Sequence, residues 1–219
     1  MTTIAPEILL LSLGNRSSRA DVEQVHGSLL HSLDSRSNVS WAFTARETFE
    51  HLDREAPPRG ILIANPTIVH PEYDELSTKL VAYVRKGGIV IHGGFFSTDI
   101  RPDDLGTYMQ AKWDLPWKAG SYYRTTLYLN QEAIPRSTTG LLSSYNQKAV
   151  FLEGVNPDVA WYVISDRSVV ESLAPGSEIN ILETPVAFAR AGDGWIGYLG
   201  DVNGEVGTVA VILKMFGLT

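Results

Sequence analysis

The sequence predicts an α/β protein with a doubly wound, mostly parallel sheet, closed at its end by a hairpin and a helix. Three observations carry this. Continuous apolar runs over 8–11, 61–64 and 89–91 read as strands buried on both faces. Stretches with helical spacing separate them, so the first hundred residues alternate strand and helix. Finally, the run Gly87-Gly88-Ile89-Val90-Ile91-His92-Gly93-Gly94 ends a central strand in an abrupt turn. That places His92 at the carboxyl edge of the sheet, where open α/β sheets bind their ligands.

Each element has its own justification. The first strand is expected over 7–13, with Gly14, Asn15, Arg16 and Ser17 as the turn after it. Ser18 can cap the next helix, with Asp21 in its first turn, and Val22, Val25, Leu29, Leu30 and Leu33 follow helical spacing. Residues 39–43 alternate like a strand. A helix over 47–54 is stopped by Pro57 and Pro58. After the strand over 61–64 comes the turn Asn65-Pro66-Thr67, and then the clearest helix. Pro71 suits its first position, Tyr73, Leu76, Leu80 and Val84 make its apolar stripe, and Arg85 and Lys86 complement its negative end before Gly87.

The second half is less regular. A short helix is expected over 101–112, then an aromatic tract over 113–128. Strands are expected over 123–129, 149–155, 161–164 and 169–173. Residues 184–190 and 195–199 read as a hairpin through Ala191-Gly192-Asp193-Gly194. The turn Gly200-Asp201-Val202-Asn203-Gly204 leads into a final helix over 205–216.

Composition narrows the function classes. A chain of 219 residues, 44% hydrophobic, can bury a substantial core and is expected to form a single domain over 1–219, with an aromatic-rich elaboration at about 95–130. The formal charge of -7 comes without a basic stripe, which argues against nucleic acid as a partner. There is no cysteine, so disulfides, thiolate metal sites and cysteine nucleophiles are excluded. The apolar run near the start is too short to span a membrane and follows Glu7 rather than a basic region; no membrane partner and a cytoplasmic location are expected. No GxGxxG follows a strand, and GxxxxGK[ST] and GxSxG are missing. No cofactor is therefore expected. His70, His92, Asp99 and Asp201 lack metal-ligand spacing, and no metal is assigned.

The order of these elements, strand, Gly-Gly, strand, sharp turn, then late hairpin, turn and final helix, resembles the class I glutamine amidotransferase-like superfamily. It looks closest to the ThuA-like (trehalose utilisation) branch. The resemblance rests on Ile91-His92-Gly93-Gly94 at the elbow, on Pro185-Val186-Ala187-Phe188, on Gly192 to Gly194, and on Tyr198-Leu199-Gly200. It implies a flavodoxin-like fold. Where amidotransferases carry a cysteine nucleophile this chain has His92, and where they carry His-x-Glu it has Asp201 and Asn203. The loop that would supply the oxyanion donor is Asn65-Pro66-Thr67, and Pro66 has no N–H to give. Glutaminase chemistry is thus excluded if the resemblance holds.

The replacements suggest other chemistry. Histidine has an ordinary pKa near 6.5, which suits general acid–base work, so His92 is the candidate catalytic group with Asp201 orienting it. Gly93, Gly94, Phe95 and Phe96 after the elbow, with Trp113, Trp117 and Tyr122, are candidates for an aromatic-walled pocket for a small molecule. Asn15, Asn65, Asn203 and Glu205 join them as polar binding candidates. The blander readings are a packed core histidine, a turn aspartate, a helix cap at Asn203, and aromatics that form a second core or the interface of a homo-oligomer. The first expectation is an enzyme acting on a small metabolite through His92. The alternative is a non-catalytic small-molecule-binding or interaction member of the same superfamily.

Overall fold

The computed structural model describes residues 5–14, 19–135, 137–171 and 179–219. The expected βα alternation opens the chain: β1 (Glu7–Leu11), α1 (Arg19–Asp34), β2 (Asn38–Ala42), α2 (Ala45–Leu52), β3 (Gly60–Ile63), α3 (Asp74–Arg85) and β4 (Ile89–His92). Short helices α4 (Phe96–Asp99) and α5 (Pro102–Tyr108) follow, and a π turn over Met109–Trp113 extends α5. Next come β5 (Lys118–Leu129), β6 (Ser144–Glu153), β7 (Ala160–Val163), β8 (Val170–Glu171), β9 (Val186–Ala191), β10 (Gly194–Leu199) and α6 (Val206–Phe216). Ser18 and Asn15 lie outside the described residues, as does part of the strand expected over 169–173.

The ten strands of the described residues form one sheet. Along it the order is β2-β1-β3-β4-β10-β9-β7-β5-β6, with β8 on β5. The central sheet, β2 through β10, is parallel throughout. Beyond β10 every pairing is antiparallel, which makes a wing larger than the sequence announces. The wing curls back: Val150 N–H donates to Gly200 O at 2.9 Å and Val202 N–H to Lys148 O at 3.1 Å, so β6 also meets the chain leaving β10.

Side chains alternate along each strand, so the two faces of the sheet take different cores. Ile8, Leu10, Leu62 and Ile91 pack under α1 and α6, against Leu29, Leu33, Ile212 and Phe216. Leu9, Leu11, Ile61, Ile63 and Val90 pack under α2, α3 and α5, against Leu52, Leu80, Val84 and Leu105.

Local chemistry sets the helix ends. Thr44 and Glu47 form a reciprocal capping box on α2. Pro71 opens a short 3₁₀ turn instead of α3, which starts three residues later at Asp74. In α1, Val25 is exposed and His26 is buried with Val22, Leu29 and Leu33, the i, i+4, i+7, i+11 stripe of a helix that also kinks at His26 (φ -114°, ψ 26°).

Candidate functional site

The elbow after β4 is built as expected. Gly94 sits at φ +61°, and a Cβ there would lie 3.2 Å from Ala64 O. Both the positive φ and the close backbone favour glycine. Gly93 N–H is not free for a ligand, since it extends the sheet by donating to Ile63 O at 3.1 Å.

His92 does not face a cleft. It shares the sheet face of Val90, two residues before, and that face lies under helices. It is 0% exposed, and its ring makes edge contacts with Phe96 (4.7 Å), Tyr108 (5.6 Å) and Trp113 (5.9 Å). Its Nδ1 lies 3.2 Å from Gly197 O. A carbonyl only accepts, so Nδ1 carries the proton and Nε2 accepts from the Tyr108 hydroxyl at 3.4 Å. Burial pushes His92 down to about 4, against the smaller upward pull of the Gly197 bond. The imidazole is neutral at physiological pH, and the same burial raises Tyr108 to about 12.

Asp201 is 2% exposed and acts on its own turn. Its Oδ1 accepts from Asn203 N–H (2.8 Å) and Gly204 N–H (3.1 Å), and its Oδ2 accepts from Glu205 N–H (2.7 Å). The carboxylate satisfies donors at the entrance to α6, as negative charge at a helix start should. No hydrogen bond joins it to His92 among the described residues. The expected direct pair, offered as within direct or one-water reach, is therefore corrected: His92 is engaged by Gly197 and Tyr108, and Asp201 by its own turn.

His26 is a titratable neighbour of Asp201. Burial lowers its pKa while the Asp201 charge partly restores it. Among the described residues its Nε2 has no hydrogen-bond partner, and Phe95 meets the ring edge-on at 5.2 Å. The hollow between His26, Gly94, Asp201 and Gly204 measures about 10 Å³, the room of one water. Sequence reasoning passed over His26 because a stripe drawn through apolar Val25 leaves it out; the signal was present, since His26 stands four residues after Val22 and three before Leu29.

The remaining candidates separate. Asn65 is buried, donating to Leu13 O (2.9 Å) and Ser12 Oγ (3.1 Å), so it ties two loops together. Phe96, Trp113 and Trp117 are buried in the α3–α5 core and wall no cleft. Apolar rings under a helical layer gain more from full burial than from an open pocket. Tyr122 projects from the wing, 54% exposed, with Lys148 Nζ 5.1 Å over its ring. Asn203 is exposed, and Glu205 pairs with Arg124 at 2.8 Å. Among the described residues no group of three His, Asp or Glu side chains could hold a metal ion. Nor is any helix of theirs long and apolar enough to cross a membrane.

No family model matches the chain, and no curated protein does. Solved structures do. A ThuA-like protein from Bacteroides uniformis ATCC 8492 superposes with a TM-score of 0.62 at 9% identity, over 99% of this chain and 91% of that one. A second, from Parabacteroides merdae ATCC 43184, gives 0.58 at 14% identity, over 97% and 88%. A β-galactosidase from Bacillus circulans sp. alkalophilus gives 0.54 at 9% identity, over 97% of this chain but 31% of that enzyme. The likeness establishes the fold: it is ThuA-like and flavodoxin-like, with a mostly parallel central sheet.

Proposed function

We propose that this chain is a non-catalytic, small-molecule-binding member of the class I glutamine amidotransferase-like superfamily. One observation carries the reading. The residue standing where the nucleophile would be, His92, is wholly buried with both ring nitrogens engaged. A general acid or base must reach the proton it moves and titrate near the working pH. His92 is enclosed by aromatic rings and lies at about 4, so it meets neither condition. Asp201, the other expected catalytic group, holds three backbone N–H groups. The positions that carry chemistry in the superfamily thus support the fold in this chain, and binding is what the architecture retains.

The test is to incubate the purified protein with a small-metabolite extract and analyse both retained and free compounds by mass spectrometry. Retention of an unaltered compound is expected. Conversion of any compound to a product, abolished by His92→Asn, would overturn the reading.

A further inference from the structure

We infer that the chain binds an aromatic or heteroaromatic carboxylate, or a similar flat organic anion, at the amino edge of its sheet, opposite the elbow. This rests on the binding reading above and locates it. A cavity of about 760 Å³ opens there, lined by Ile89 and Trp195 in the first residues of β4 and β10 and by Lys86 and Gly217 just past the ends of α3 and α6. That volume falls within the range of small-molecule sites, whereas the hollow beside Gly94 admits one water.

The aromatic wall is already ordered. Phe188 and Trp195 stack at 4.9 Å and 10°, and Trp161 meets Phe188 edge-on at 5.0 Å. Arg190 lies 5.4 Å over the Trp195 ring and holds it further. Across the cavity the Tyr83 hydroxyl donates to Pro58 O at 2.7 Å. Tyr83 can lie there because position 88 is glycine: a Cβ would come within 2.3 Å of its ring. A ligand entering loses little to ordering these side chains. Trp161 adds a buried indole N–H without a partner among the described residues.

Charge selects the ligand. The Lys79–Asp53 pair neutralises itself. Among the described residues that line the cavity, that leaves Arg59 and Lys86 facing Asp193, in a chain whose net charge is -7. Arg59 Nε donates to Phe216 O at 2.8 Å, whereas Lys214 lends the cavity its stem and turns its ammonium away to Thr139 O (3.0 Å) and Thr219 Oγ1 (3.4 Å). A carbonyl carries no full charge, so this bond fixes the Arg59 cation in place without cancelling it. Lys86 forms no ion pair among the described residues. An apolar wall beside excess positive charge suits a ring bearing an acid group and repels the same ring bearing an amine.

Isothermal titration calorimetry with three probes on one ring tests this: naphthalene-2-carboxylate, its methyl ester and 2-naphthylmethylammonium. The carboxylate should bind saturably, the ester about tenfold more weakly, and the amine not at all. Lys86→Glu, at an exposed position, and Trp195→Ala should each weaken the carboxylate by about tenfold. Tyr122→Ala, out on the wing, should leave it unchanged. Three results overturn the site: no saturable binding, binding of the amine as tight as the carboxylate, or carboxylate affinity indifferent to both Lys86→Glu and Trp195→Ala. A metabolite retained equally by wild type and both variants removes this site but leaves the binding reading. Conversion dependent on His92 removes that reading instead.

Discussion

The Ser97 hydroxyl donates to the backbone carbonyl of Asp201 at 3.3 Å. The elbow after β4 and the turn after β10 are therefore joined through the main chain of residue 201, while its carboxylate serves α6. The first prediction follows from this division. Asp201→Ala removes three charge-assisted bonds at a buried helix entrance and should cost about 2–4 kcal/mol. Asp201→Asn keeps an acceptor and should cost less. Urea unfolding measures both; equal stability of all three proteins would mean that the turn holds α6 without the side chain.

A second prediction concerns pH. The folded pKa of His92, about 4, is depressed below its unfolded value near 6.5. Between those values the unfolded chain binds the extra proton, so stability is intact above about 6.5 and falls as pH drops toward 4. Relative to His92→Leu, which shares every other titration, the wild type should lose about 3 kcal/mol between pH 7.5 and pH 4. Parallel curves for the two proteins would show that the imidazole is not buried neutral.

Gly200 sets a third. A Cβ there would lie 2.0 Å from Val150 O and 3.3 Å from Pro185 Cβ. Gly200→Ala must push β6 away from the end of β10, and backbone cannot yield as a side chain can. A loss of about 3 kcal/mol or more is expected, with hydrogen exchange of the amides of Val150 and Val202 rising first. Unchanged protection of those two amides would contradict the tight approach.

The Arg124–Glu205 pair, 2.8 Å apart with both side chains about one quarter exposed, links the wing to the start of α6. A double-mutant cycle with Arg124→Met and Glu205→Gln should give a coupling of about 1 kcal/mol. It should shrink at 1 M salt, where the screening length is about 3 Å. A coupling unaffected by salt would point to packing of the arginine stem instead.

The parallel half of the sheet was readable because its strands are short apolar runs and its helices keep their stripes, as with Leu76, Leu80 and Val84. The wing was less readable. β5 runs from Lys118 through Gly120, Ser121 and Arg124, and its partners lie far along the chain, so no local pattern announces its length. The turn chemistry of Asp201 and the capping potential of Asn203 were both visible in Asp-x-Asn-Gly, and the structure uses the first. The orientation of His92 was also within reach. It shares parity with Val90, and Val90 faces α3; treating the strand end as open overlooked what α5 and the π turn lay across it. The amino-edge cavity had no signal at all, since Tyr83, Trp161, Phe188 and Trp195 meet only once the sheet is complete.

The place of β10 has a consequence for how the chain is made. Tyr198 pairs with His92, so the inner edge of β4 stays without its neighbour until roughly a hundred further residues have been synthesised. A ribosome-bound chain that has reached the wing carries an open, apolar parallel edge, the kind of surface that chaperones hold and that aggregates otherwise. A nascent chain cut before residue 194 should stay protease-sensitive through β3 and β4, and protection should arrive in one step once 194–199 have left the exit tunnel.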